Sequence, residues 1–267
     1  MAEGWLLLDA GNTRIKWAEL GDKGLEPASS LPTSSILNQI SVLDAAWEHL
    51  KQPRGVAVSN VAGPEIREAL AVYVQNRWGI PVQVAVSRSV GSGVRSSYRV
   101  PESLGIDRWL ALIATRARYE LPAVVVDAGS AVTIDLLNGE GSHEGGYILP
   151  GRKAMLSALV RGTAQLALPM TERGAELHPA RDTDTALLSG GMLALVGAIE
   201  HAFREHARVK ESQSPVLVLT GGDADLLASS LATPAQKHPD LVLEGLWINL
   251  WDEGFLEPHC SPFLSKG

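Results

Sequence analysis

A short apolar strand running into Asp-Ala-Gly occurs twice in this chain, at Trp5–Gly11 and again at Ala123–Gly129, about half the chain apart. In both places a small amide or hydroxyl residue follows, Asn12 or Ser130, and a second apolar strand then begins. Asp and Gly are ordinary turn residues, so one such segment alone means little. The same flanking order repeated means more. It divides the 267 residues into two halves of like topology joined near Leu121-Pro122. The expected halves are residues 1–120 and 121–267.

Apolar periodicity fills each half with strands and helices in alternation, an α/β arrangement. The first half is expected to hold strands Trp5–Asp9 and Thr13–Leu20, a turn at Gly21–Gly24, and a helix Ser34–Leu50. A strand Gly55–Asn60, a helix Gly63–Trp78 with Pro64 in its first turn, and a strand Val82–Val86 follow. A polar loop Ser87–Ser97 then leads to a helix Gly105–Tyr119. The second half is expected to hold strands Ala123–Asp127, Thr133–Leu137 and Gly145–Leu149, then helices Arg152–Arg161 and Thr183–Glu205. A strand Pro215–Leu219 and a helix Ala224–Leu231 come next. Leu241–Leu243 and Leu246–Trp251 close the fold, before a loose tail from Pro258 to Gly267.

With 23 Lys+Arg against 30 Asp+Glu, the formal net charge is -7. Such a chain has no general field to attract nucleic acid or an anionic membrane. An anionic ligand must be met by local groups: backbone N–H, selected cations and metal ions. The one cysteine, Cys260, allows no intrachain disulfide and fits a reducing, cytoplasmic setting. The apolar run Trp5–Leu8 is cut short by Asp9 and has no basic flank, so no signal peptide is expected. Ala186–Phe203 is apolar but interrupted by Ser189, Gly190, Gly191 and Glu200, which reads as a buried helix rather than a membrane span.

Five segments are candidates for ligand contact. In Asp9-Ala10-Gly11-Asn12-Thr13-Arg14-Ile15-Lys16, glycine lets the backbone approach an oxyanion, N–H groups can cradle phosphate, and Lys16 adds a cation. Asp9 suits Mg²⁺ held through water. An ordinary hairpin turn uses the same residue types. Asp127-Ala128-Gly129-Ser130 reads the same two ways, and two such turns facing each other would suit a metal-bridged triphosphate. Gly105-Ile106-Asp107-Arg108 opens a helix: Arg108 can clamp an anion and Asp107 can accept a hydroxyl proton. Spacing alone favours a plainer reading, in which Asp107 answers the helix dipole, Arg108 is solvated and Trp109 sits in the core. Gly145–Arg152 either lines a ligand with its backbone or makes a tight strand-to-helix corner. Thr220-Gly221-Gly222-Asp223 either lets a flat ligand such as adenine lie against the backbone or makes the turn.

Several familiar sites are missing. No G-x-x-x-x-G-K-[ST] occurs, Gly91-Ser92-Gly93 lacks a third glycine, and there is no G-x-S-x-G elbow. His201 and His206 are expected on different helix faces, both solvated, with no zinc site. The seven tryptophans are scattered and read as packing rather than as a stacking surface for bases.

In this order the segments resemble the motifs of type III pantothenate kinases, the branch of the Bordetella Bvg accessory factor above all. The resemblance covers nearly the whole chain. It implies two ribonuclease-H-like halves of the sugar kinase/actin/heat-shock chaperone ATPase superfold. It further implies a homodimer and transfer of the ATP γ-phosphate to pantothenate, the first step of coenzyme A synthesis. The family's first phosphate motif matches Asp9–Lys16, its substrate tyrosine Tyr98, and its Gly-x-Asp-Arg the run Gly105, Ile106, Asp107 and Arg108. Asp107 would then be the general base. In the second motif Asp127 would hold a monovalent cation, K⁺ or NH₄⁺, and Ser130 a nucleotide phosphate; Ser130 stands where the family usually has threonine. The substrate-side Thr-x-x-Ala most resembles Thr183, with Thr185 two residues on. Gly221 and Gly222 would lie near the adenosine, and helix Thr183–Glu205, with Gly190 and Gly191, would form the dimer interface. A non-enzymatic regulator on the same fold is the alternative, as is another kinase or phosphatase of the superfold. Against the regulator, Asp9, Asp107, Arg108 and Asp127 are all present.

Overall fold

The computed structural model describes residues 4–163, 177–209, 213–256 and 261–262. The expected tail Pro258–Gly267 lies, apart from 261–262, outside the described residues. The chain forms two units, one of Met1–Arg118 with Asp240–Gly267, the other of Tyr119–Pro239.

In the first unit the described strands are β1 (Trp5–Ala10), β2 (Arg14–Gly21), β3 (Gly24–Leu25), β4 (Ser29–Pro32), β5 (Gly55–Asn60), β6 (Val82–Val84) and the small hairpin β7 (Val90–Gly91) and β8 (Val94–Arg95). The helices are α1 (Thr33–Asn38), α2 (Val42–Ala46), α3 (Pro64–Trp78) and α4 (Ile106–Arg118), the last preceded by a 3-10 turn at Pro101–Ser103. The main sheet runs β3-β2-β1-β5-β6, with β4 also on β2. β1 is antiparallel to β2 and parallel to β5, which is parallel to β6.

The second unit holds β9 (Ala123–Ala128), β10 (Ala131–Leu137), β11 (His143–Pro150), α5 (Arg152–Gly162), α6 (Thr183–Val209), β12 (Val216–Thr220), α7 (Ala224–Ala228) and β13 (Ala235–Lys237). Its sheet runs β11-β10-β9-β12-β13, again an antiparallel meander followed by two parallel strands. The two sheets therefore repeat one topology, as the doubled Asp-Ala-Gly strand implies. Central strands read as continuous apolar runs because helices cover them. Leu6, Leu8, Val56 and Val58 pack with Ile66 and Leu70 in one core. Val124, Val126, Leu217 and Leu219 pack with Met192, Leu195 and Ile199 in the other.

Three expectations change. The helix expected over Ser34–Leu50 is two short ones, because Gln39 is extended (φ -159, ψ 99) and its amide turns to Ser41. The break lets Trp47, fully buried, stack on Trp78 with ring centroids 5.6 Å apart while Trp17 and Tyr73 meet it edge-on. Residues 240–267 leave the second half: α8 (Leu241–Asp252) packs on α4 in the first unit. Gly245 makes that crossing close, since any Cβ there would collide with the Leu110 carbonyl. Arg118 closes its far end with two donors to Glu244, Nε at 2.9 Å and Nη2 at 2.6 Å from Oε1. Finally, His201 is exposed but His206 is buried, with Nε2 3.2 Å from the Leu137 carbonyl and Nδ1 3.5 Å from Glu144 Oε2. A five-residue step does separate the two histidine faces; one of those faces is the core.

Helix α6 has the length and hydropathy of a membrane span. Its apolar face is instead spent on the second core, through Met192, Leu195, Val196, Ile199 and Ala202.

Candidate active site

The first Asp-Ala-Gly turn caps β1. Asp9 pairs with Lys16 and Ala10 with Ile15 across the hairpin, leaving Gly11, Asn12 and Thr13 as the loop. Gly11 N–H donates to the Arg14 carbonyl at 3.0 Å. The buried Thr33 at the start of α1 braces the loop twice: its hydroxyl donates to the Gly11 carbonyl at 2.6 Å, and its N–H to the Thr13 carbonyl at 3.0 Å. Asn12 and Thr13 are exposed, whereas the side chains of Ala10 and Ile15 are wholly in the core and offer a ligand only backbone. Arg14 lies along β4, donating from Nη2 to Ser30 Oγ at 2.7 Å. Lys16 Nζ is 3.3 Å from Asp240 Oδ1, just before α8.

At the head of α4 the run Gly105–Arg108 has a definite geometry. Arg108 is only 5% exposed, so it is not a solvated surface cation. Its Nη1 donates to Tyr98 Oη at 2.8 Å, with Cζ 5.7 Å from the Tyr98 ring centre. The structure thus brings Tyr98 and Arg108 together, ten residues apart in sequence. Asp107 Oδ1 accepts the Arg108 N–H at 2.8 Å, so the carboxylate folds back over the first turn. A Cβ at Gly105 would lie 2.6 Å from Asp107 Oδ1, so a larger residue there would displace the carboxylate. The Ile106 side chain is buried. Ser87, buried and not singled out from sequence, donates to the Leu104 carbonyl at 2.8 Å and pins the approach to the helix.

In the second unit the loop between β9 and β10 is shorter, Gly129 and Ser130 alone, closed by Gly129 N–H on the Ala131 carbonyl at 3.0 Å. Two other glycine turns are laced to it. Gly151 N–H donates to the Ser130 carbonyl at 3.0 Å, and Asp223 N–H to the Ala128 carbonyl at 2.9 Å. Neither Gly151 nor Gly221 has room for a Cβ: the first would strike the carbonyls of Gly129 and Ser130, the second Asp127 Oδ1 and the Ala128 carbonyl. Gly221 has φ +91 as well, so only glycine suits it. Beside Gly222 a Cβ would meet open space. Three segments far apart in sequence, Asp127–Ser130, Pro150–Arg152 and Thr220–Asp223, therefore form one surface.

Thr183 is exposed at the start of α6. Just before it, Asp182 accepts the Thr185 N–H at 2.9 Å, and this bond holds the Asp182 carboxyl below its ordinary range. Asp182 is the cap of this helix; Thr185 serves it through both its backbone N–H and its side chain. Gly191 is buried against Arg152 rather than open for another molecule, while Gly190 is exposed.

Among the described residues no three His, Cys, Asp or Glu side chains converge to make an all-protein metal cage. A single carboxylate at a strand end, Asp9, fits the way Mg²⁺ is held in phosphotransferases, through water and substrate phosphate.

The type III pantothenate kinase family model matches residues 5–205. A type III pantothenate kinase of Nitrosococcus oceani is 38% identical over 248 residues, 90% of this chain and 91% of that protein. One from Burkholderia cenocepacia is 37% identical over 274 residues, covering 98% of this chain and 100% of its own length. Among solved structures, a candidate Baf family transcriptional activator from Campylobacter jejuni shares the fold with TM-score 0.61 at 21% identity, over 94% of this chain and 100% of the other. A candidate 2-dehydro-3-deoxygalactonokinase from Sinorhizobium meliloti does so with TM-score 0.54 at 14% identity, over 94% and 100%. These likenesses give the fold, that of the sugar kinase and actin-like ATPases, and the sequence relatives give the family. With its paired sheets, its two Asp-Ala-Gly turns and Arg108 held against Tyr98 beside Asp107, this chain belongs to the type III pantothenate kinases.

Proposed function

We propose that the chain transfers the γ-phosphoryl group of ATP to the primary hydroxyl of pantothenate, and that Asp107 is the general base. The observation that carries this reading is the head of α4, where Arg108, nearly buried and fixed on Tyr98, stands next to Asp107. A guanidinium in that setting is a two-point anchor for the pantothenate carboxylate, which an acidic protein has no general field to attract. Tyr98 orients the guanidinium. Asp107 then takes the hydroxyl proton as the oxygen attacks phosphorus, a transfer that runs late if the transition state is loose.

The triphosphate is assigned to Asp9–Lys16, by backbone N–H groups of the braced loop and the Lys16 ammonium, and to the Ser130 hydroxyl. Asp9 would hold through water the Mg²⁺ that ATP-dependent kinases require, and the ion would supply charge neutralisation to the triphosphate. Asp127 is assigned a monovalent cation, K⁺ or NH₄⁺; its carboxylate and the adjoining turn carbonyls are hard oxygen donors of the right kind. Gly221 and Gly222 are assigned to the adenosine and Thr183 to the acceptor side. Location in the cytoplasm and a homodimer complete the reading, with neither nucleic acid nor membrane as partner. Retention of Asp9, Asp107, Arg108 and Asp127 favours an enzyme over a non-catalytic regulator.

The test is ATP consumption with pantothenate, with glucose and with no acceptor, for the wild type and Asp107→Asn. Turnover is expected with pantothenate alone, and the variant should lose about 10²-fold or more in kcat with both KM values kept. Silence of the wild type with pantothenate would overturn the activity. Near-normal turnover by Asp107→Asn would remove that residue from the mechanism.

A further inference from the structure

Asp223 occupies the position before α7 where aspartate ordinarily accepts a hydrogen bond from the helix's first N–H groups. Here it makes no such bond. Its carboxylate turns instead toward Arg152, with Oδ2 3.9 Å from Nε. Arg152 is an unusual partner. Its side chain is only 5% exposed, at the first residue of α5, directly after the glycine that packs on the Ser130 turn. Taking a guanidinium out of water is unfavourable by several kcal/mol unless an opposite charge compensates it. Asp223 supplies that charge while its own side chain stays one-quarter exposed. Among the described residues no donor reaches Asp223 Oδ1, and the neighbouring Gly222 borders open space. An acceptor thus stands at the glycine turn beside a charge that offsets its own, which lowers its repulsion of a polyanion bound nearby.

We propose that Asp223, positioned and neutralised by Arg152, reads the nucleoside of the bound nucleotide by accepting a hydrogen bond from one of its donors, a ribose hydroxyl or the adenine amino group. The assignment rests on the ATP reading above, in which this turn faces the adenosine. Asp223 touches the ligand. Arg152 acts through Asp223 and is a positioning residue.

The probes are 2′-deoxyATP, 3′-deoxyATP and purine riboside triphosphate, each lacking one donor, compared with ATP at saturating pantothenate. The wild type should show KM raised about tenfold for the analogue lacking the donor that Asp223 reads, and near-ATP values for the others; which analogue suffers separates sugar from base. Asp223→Ala should bring ATP down to the level of that analogue with little change in KM for pantothenate. Arg152→Met should raise KM for every nucleotide, and Arg152→Lys should recover part of the loss. A wild type that is active with ATP but treats all three analogues alike overturns the proposal without any variant. A preference that survives in Asp223→Ala, or that Arg152→Met leaves untouched, overturns it too. A wild type inactive with pantothenate and ATP would instead overturn the reading on which it rests.

Discussion

Single residues settle several matters on which spacing alone is silent. Glu200 on α6 receives the N–H groups of Ala232 and Thr233, each at 2.9 Å, and the Thr233 hydroxyl at 2.8 Å. Burial pushes its carboxyl up, but these three bonds outweigh burial and hold it below its usual range. A carboxyl lowered in the folded state stabilises fully above its unfolded pKa, about 4.3, and loses that contribution as pH falls through the folded value. Glu200→Gln should therefore destabilise by about 1–2 kcal/mol at pH 7, the scale of hydrogen bonds to a charged acceptor. The deficit should shrink toward zero below about pH 4. Thermal unfolding of both proteins at pH 7 and pH 3.5 checks this; an equal gap at both would assign the effect to packing. Of the site, the motif residues were legible because each turn needs special backbone or charge. The burial of Arg108 was not: exposed and buried arginines look alike in sequence until Tyr98 is seen to fold over one. Nor was the free N-terminus of α7, where the type of Asp223 suggests a cap that it does not make.

At the scale of elements, period and length identified the central strands and helices α3, α4 and α5 within a residue or two, while α6 runs four residues past its expected end at Glu205. The failures have local causes. The helix expected over Ser34–Leu50 has no Gly or Pro to announce its break, which polar Gln39 and Ser41 make by turning on each other. Helix α8 looked like two apolar pieces because Glu244 and Gly245 interrupt it. Both prove to be contact residues, Glu244 meeting Arg118 and Gly245 lying on the backbone of α4. A methyl group at 245 has only backbone to displace. Gly245→Ala should thus separate the helices and destabilise by about 3 kcal/mol, at the upper end of overpacking effects, despite alanine's better helix propensity. Denaturant unfolding that finds this variant within 0.5 kcal/mol, roughly the spread of harmless surface changes, would show that the helices can slide apart freely.

For the whole molecule, the repeat of Asp-Ala-Gly correctly announced two sheets of one topology, since each half must bury its own apolar strands. The ownership of residues 240–267 was invisible, because α8 is apolar enough to serve either core. Assembly is equally hidden in the sequence. The homodimer proposed above has a candidate face on the exposed side of α6, where Leu193 is 62% exposed. Gly191 no longer belongs to that face, since it packs on Arg152. Leu193→Asp should convert a dimer to a monomer in sedimentation or light scattering while leaving far-UV circular dichroism unchanged. A wild type that is monomeric at tens of micromolar would sink the dimer, and a variant that stays dimeric would move its interface elsewhere.

The path of the chain out of the first unit at Arg118 and back at Asp240 sets a schedule for its birth on the ribosome. When α4 emerges, the side on which Leu110 meets α8 has no partner to cover it, and all of residues 119–239 must be made first. At roughly 5–20 residues per second that interval is on the order of ten seconds. The second unit, contiguous in sequence, has every strand in hand before the first can close. The unit of residues 119–239 is thus the earlier to be finished, and the unit carrying Asp107 must wait, with a sticky helix exposed, for α8 to be delivered.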